Sequence, residues 1–241
     1  MIYASSDPAS SIHFYLKYFD RHKESDRIKK KKIHEPFVTI SREVGVNGLL
    51  FGEMLIKYLA GNDAEAKSHW TLFERNLMEK VAEEHNLPAD IAKYMPERNI
   101  SELQDILEKF FEIRPRRQSL IYKTSSTILH LAHLGNVVLI GRGANIITKD
   151  IRGGIHIRLV ASKEYKLKYV RDFFKISRMK SLKFMEKEEK IRKDYVKKTF
   201  RKNIEDPLLY SIVFNMDFVS SEDAVNIIGD QVMQMRMVIN K

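Results

Sequence analysis

FVTISREVGVNGLLFGEMLIKYLAG, residues 37–61, reads as a buried strand, a glycine-containing loop and a helix. Residues 37–40 are apolar and rich in β-branched side chains. Leu49, Leu50, Met54, Leu55, Tyr58 and Leu59 then recur at helical spacing. Between the two runs lies SREVGVNG. A strand that passes through a loop into a helix N-terminus aims free backbone N–H groups and the positive end of the macrodipole at one point, where phosphate binds. The competing reading is an ordinary βα connection, common in α/β domains.

The loop departs from the phosphate-binding pattern GxxxxGK[ST]. There, glycines let the backbone wrap the phosphates, a lysine reaches them and a hydroxyl meets Mg²⁺. With Gly45 as the middle glycine, Asn47, Gly48 and Leu49 stand at the places of the last glycine, the lysine and the hydroxyl residue. Both side-chain functions are missing.

Working outward, HWTLF at 69–73 suggests a short strand or turn, followed by a helix whose inner face includes Leu77 and Val81. Pro88, Pro96 and Pro115 punctuate a helical stretch around 100–113. A further helix over 118–134 would carry Leu120, Ile121, Ile128, Leu131 and Leu134 inward. Gly135 ends it, and Val137 to Ile140 form an uninterrupted apolar run suited to a central parallel strand. Ligands of doubly wound sheets sit beyond the carboxyl ends of strands, which places Arg142 well for gripping a phosphate with two parallel hydrogen bonds. On position alone it reads equally as a surface arginine in a turn.

IHIRLVAS, 155–162, alternates as a strand, with Ser162 as N-cap of a helix over 163–174. A second helix over 178–201 follows Ser177; on it Met185, Glu189, Arg192 and Val196 share one face. Glu189 and Arg192 are thus either an ion pair or a hinge and a phosphate-reaching arginine. A last strand is expected around 210–214. A terminal helix opens at Ser220 or Ser221, with Ala224, Ile227, Ile228, Val232, Met235 and Val238 inward. Strands alternating with helices imply a doubly wound parallel sheet of about five strands in one α/β domain, 37–241, with a helical and basic extension at 1–36.

There is no cysteine, which excludes disulfides, thiolate catalysis and cysteine-ligated zinc. No run is long and apolar enough for a membrane span, and the expectation is a cytoplasmic protein. The formal net charge is +10, and residues 163–202 hold 16 Lys and Arg against 6 Asp and Glu, so all the excess lies there. Such a patch could meet polyphosphate, nucleic acid or an anionic membrane, or be a solvated helical face.

Three stretches in order, VTISREVGVNG (38–48), VVLIGRGAN (137–145) and the run from IRLVAS through EEKIRKDYVKKTF to EDPLLYSIVFNMDFVSSEDAVNII (157–228), make the chain resemble the cytidylate kinase-like family. That is a P-loop nucleoside-monophosphate kinase branch, and the likeness covers about 37–230. It implies transfer of the γ-phosphoryl of ATP, with Mg²⁺, to a pyrimidine monophosphate such as CMP or dCMP. The resemblance implies that Ser41, Gly45, Val46, Asn47, Gly48 and Leu49 hold the donor phosphates. Arg142 and Gly143, with Arg75 in FERN, would serve the acceptor. Residues 175–203 would be a lid that brings Arg192, with Lys198 or Arg201, onto the transferring group. No protein metal ligand is expected.

This chain departs from the family pattern at three places. The family commonly has glycine and arginine where Asn47 and Leu49 stand, and related cytidylate kinases have aspartate at the position of Gly143. Arg42 is the candidate to supply the missing cation, with an ion pair to Glu43 as its alternative role. Three functions follow: a nucleoside-monophosphate kinase, a nucleotide-binding regulatory protein of the same fold, or a basic binder using 163–202. Nucleic acid is not the expected partner; a homodimer through residues 1–36 is a further expectation.

Overall fold

The computed structural model describes residues 35–66, 68–74 and 120–239. The extension at 1–36, except Glu35 and Pro36, the helices expected between 75 and 113, and Arg75 lie outside the described residues. Five strands form one parallel sheet: β1 (Phe37–Arg42), β2 (Thr71–Phe73), β3 (Val137–Ile140), β4 (Gly154–Val160) and β5 (Ile212–Asn215), ordered β2-β3-β1-β4-β5. β1 is central, with Phe37 opposite Val137 of β3 and Gly154 of β4. All four residues of β3 are buried, as a strand covered on both faces requires.

Side-chain alternation divides the core between the faces. On one, Val38, Ile40, Ile155, Ile157 and Leu159 pack with α1 (Gly48–Asn62) and α6 (Ser221–Ile239). On the other, Phe37, Val137 and Leu139 pack with α2 (Leu120–Leu134), α3 (Ala144–Ile147) and the last turns of α5 (Arg178–Phe200). α4 (Lys163–Phe174) and α5 form a hairpin with its own small core of Leu167, Val170 and Met185, closed by Val44 from the β1 loop. Ser162 and Ser177 cap these two helices by accepting from the N–H groups of Tyr165 and Lys180.

The expected elements differ from the fold in detail. β5 starts at Ile212 because Pro207–Leu209 form a 3-10 turn whose opening is capped by Asp206. Leu49, Leu50, Leu120, Ile121, Ile227 and Val238 are exposed rather than inward. In α1 the inner face is Phe51, Gly52, Leu55 and Leu59, one step round the helix. In α6 the inner position near the C-terminus belongs to Arg236, only 3% exposed. Its guanidinium grips Asp63 in a fork at 2.6 and 3.2 Å, donates to Asn136 Oδ1 at 2.6 Å and pairs with Glu35. A buried cation answered by carboxylates in this way offsets its desolvation. No helix among the described residues is long and apolar enough to cross a membrane.

Candidate functional site

The carboxyl ends of β1, β3 and β4 meet at one edge of the sheet. The loop leaving β1 is held from three sides. Asn47 caps α1 by accepting the Leu50 N–H at 3.1 Å. Glu189 of α5 accepts the Val44 N–H at 2.9 Å, and Arg192 Nη1 donates to the Arg42 carbonyl at 3.0 Å. Glu189 and Arg192 therefore direct these bonds to the loop backbone and bring α5 onto it. Beneath the loop, Glu43 accepts from Lys166 Nζ at 2.7 Å and from the Ala161 N–H at 3.2 Å. The alternative role of Arg42, an ion pair with Glu43, is thus taken by Lys166.

Gly45 has φ +89°, and a Cβ there would lie 2.8 Å from the Lys166 carbonyl oxygen. Glycine is required both by the left-handed backbone and by the close approach of α4. The N–H groups of Gly45, Asn47 and Leu49 have no protein acceptor among the described residues. Leu49 is exposed at the helix start and supplies no hydroxyl to a metal ion.

Arg42 runs across the front of the loop. Its stem lies against Gly48, where a Cβ would sit 3.1 Å from Cδ, and Nη1 would be 2.6 Å from a Cβ on Gly141. Its cationic end therefore lies between the β1 loop and the β3 loop. The β3 loop is built differently. Gly141, Arg142 and Gly143 all have positive φ, at 82°, 53° and 71°. A non-glycine residue in that region carries strain and is held by its surroundings. The Arg142 guanidinium lies 5.1 Å from the centroid of the Tyr195 ring on α5, a cation–π contact. Gly143 packs under Phe200, whose Cε2 would be 2.4 Å from a Cβ at that position.

The fold brings together Ser41, Arg42, Gly45, Val46, Asn47, Gly48, Arg142, Gly143 and Arg192. Lys198 and Arg201, at the far end of α5, are exposed. Much of the excess positive charge lies on the solvent face of the hairpin: Lys168, Arg171, Lys175, Lys180, Lys183 and Lys187 are all exposed. Sequence reasoning missed Arg158, which is 3% exposed on β4 and donates to Ser41 Oγ at 3.2 Å. Its only signal was a charged residue inside an apolar strand. His156, two residues before it, is pushed down to about 4 by burial. It is neutral around pH 7 and meets Thr39 Oγ1 at 2.9 Å, so it is no titrating base there.

The implied Mg²⁺ finds little to bind it in this donor set. Leu49 stands at the hydroxyl position, and no cluster of three candidate metal ligands occurs among the described residues.

A solved structure titled as an uncharacterized protein from Eubacterium ventriosum superposes with a TM-score of 0.65 at 20% identity, covering 83% of this chain and 99% of its own. It shares the fold. No curated protein matches. The family model described as the cytidylate kinase-like family matches residues 37–218, from the first residue of β1 to just past β5. With the parallel sheet, the loop after β1 and the arginines at its edge all inside that span, the chain belongs to the cytidylate kinase-like family.

Proposed function

We propose that this chain transfers the γ-phosphoryl group of ATP to a nucleoside monophosphate, CMP or dCMP. Family membership supports the reaction class. The observation that carries the reading is Arg42: its side chain lies over Gly48, at the place of the missing lysine, and reaches Gly141 at the mouth of the second loop. A cation there would neutralise charge between donor and acceptor, the main work in phosphoryl transfer. The free amides of Gly45, Asn47 and Leu49 would hold donor phosphate oxygens, with Ser41, Val46 and Gly48 shaping the cradle. Arg142, set on its strained turn before Gly143, would hold the acceptor phosphate. Arg192 would exchange the Arg42 carbonyl for a phosphoryl oxygen as the lid closes, with Lys198 as the outer cation. Mg²⁺ would enter as the ATP complex, held by phosphate oxygens and water.

The test is ATP consumption over a panel of monophosphates. Turnover should appear with CMP or dCMP and fall about a hundredfold in Arg42→Ala. Arg192→Ala should lower kcat more than it raises KM, because it acts on charge that develops in the transition state. Equal kinetics in both variants would remove these arginines from the reaction. A second reading, a regulatory nucleotide binder, is favoured by the two loop amides already engaged by Asn47 and Glu189. Nucleotide binding with no turnover on any monophosphate would select it.

A further inference from the structure

Arg158 and Arg236 are equally buried, each 3% exposed, yet they are answered in opposite ways. Arg236 is held by the carboxylates of Asp63 and Glu35. Arg158 Nη1 donates to two neutral hydroxyls, Ser41 Oγ at 3.2 Å and Tyr210 Oη at 3.4 Å, and its guanidinium lies 5.6 Å from the Tyr210 ring centroid. Tyr210 in turn donates to the Ile204 carbonyl at 2.7 Å, which leaves its oxygen lone pairs toward Arg158. Among the described residues no carboxylate lies within ion-pair distance of Arg158. Glu205, whose carboxyl is held below its usual value chiefly by Lys193 and to a lesser extent by Arg158, is exposed and bonded to Lys193 at 2.7 Å.

Taking a charge out of water costs several kcal/mol unless an opposite charge meets it. A fold that supplies carboxylates to one buried arginine and only hydroxyls to another leaves the second with an unspent charge. That charge lies at the phosphate-facing edge. Arg158 is paired across the sheet with Ser41, one residue before Arg42, and on the face opposite α1 and α6. Ser41 and Tyr210 hydroxyls can turn to donate, so the three groups together suit a tetrahedral oxyanion.

We propose that Arg158, with Ser41 and Tyr210, seats a phosphate group of a bound nucleotide, and that this phosphate is its missing counter-ion. The proposal rests on the phosphate-cleft reading above. The group comes from the donor triphosphate or from the acceptor monophosphate.

The experiment uses the full chain as wild type, Arg158→Met, Arg158→Lys and, as a control, Arg236→Met. Thermal unfolding is followed alone and with pyrophosphate, ATP or CMP, and affinities are titrated. Without ligand, Arg158→Met should unfold no lower than wild type, since it deletes a charge with no carboxylate partner, whereas Arg236→Met should unfold well below it. Arg158→Met should lose at least about tenfold in affinity for ATP if the donor supplies the phosphate, or for CMP if the acceptor does, and Arg158→Lys should lose less. A pyrophosphate-induced rise in the midpoint that Arg158→Met abolishes would support the seat even with no turnover on any monophosphate. If Arg158→Met unfolds as early as the control and binds both nucleotides at wild-type affinity, the seat is refuted while phosphoryl transfer stands. If no phosphate compound shifts the wild type, both readings fall.

Discussion

The loops after β1 and β3 start from one plan, an apolar parallel strand running into glycines, an arginine and a helix, and end as different devices. The β1 loop leads into the fifteen residues of α1 and offers backbone: three amides without a protein acceptor among the described residues, with those of Val44 and Leu50 held by the Glu189 and Asn47 side chains and those of Val46 and Gly48 by loop carbonyls. The β3 loop leads into only four helical residues and offers a side chain, Arg142, presented on three consecutive left-handed residues. One loop presents backbone donors and the other a cationic side chain. Arg42 lies in the gap between them.

The comparison can be broken most forcefully at Gly143. Restoring the aspartate of the related kinases, Gly143→Asp, forces a side chain into φ +71° and against Phe200, and should cost about 3 kcal/mol, read as a drop in denaturant midpoint. Unchanged stability would mean that the β3 loop does not depend on this turn. A smaller effect is expected at Glu189, where Glu189→Gln keeps an acceptor for the Val44 amide but removes its charge. Stability should fall by about 1 kcal/mol, with faster proteolysis in α5; wild-type resistance would show that this bond carries no weight. The smallest is Asn47→Gly. Glycine at an N-cap costs only a few tenths of a kcal/mol, while the Leu50 N–H is released toward a ligand, so ATP should bind severalfold more tightly. Weaker binding in that variant would show that the Asn47 side chain helps the ligand instead of competing with it.

Much of the architecture could be read from local pattern. The β-branched runs at 37–40 and 137–140, and the serines at 162 and 177, mark strands and caps through interactions spanning a few residues, and the fold keeps them. The site was legible in part. Arg142 and Arg192 could be nominated from their places after a strand and on a helix face, and Arg42 only through the family resemblance and its missing cation. That Arg192 and Glu189 reach the backbone of the β1 loop depends on α5 folding back across about 150 residues of sequence, which spacing does not encode. Arg158 was hidden for a related reason. In an alternating strand a charged residue reads as solvent-facing, and here the side chain is covered by residues near Ile204 and Tyr210 that arrive after α5. The inward face of α1 was misplaced because Leu49 and Leu50 fit the helical period yet lie at the exposed first turn.

The Arg236 knot has a reach beyond the stability of α6. It joins Glu35, just before β1, to Asn136, just before β3, and fastens both to Asp63 at the end of α1. These are the tails of the two strands whose heads carry the two loops. Strands pinned at the rear cannot slide past each other, so the spacing between the two loops is governed from the opposite rim of the sheet. Damage to this knot would shift the two loops relative to each other, so that any effect of an Arg236 variant at the candidate site would be that of a distant clamp.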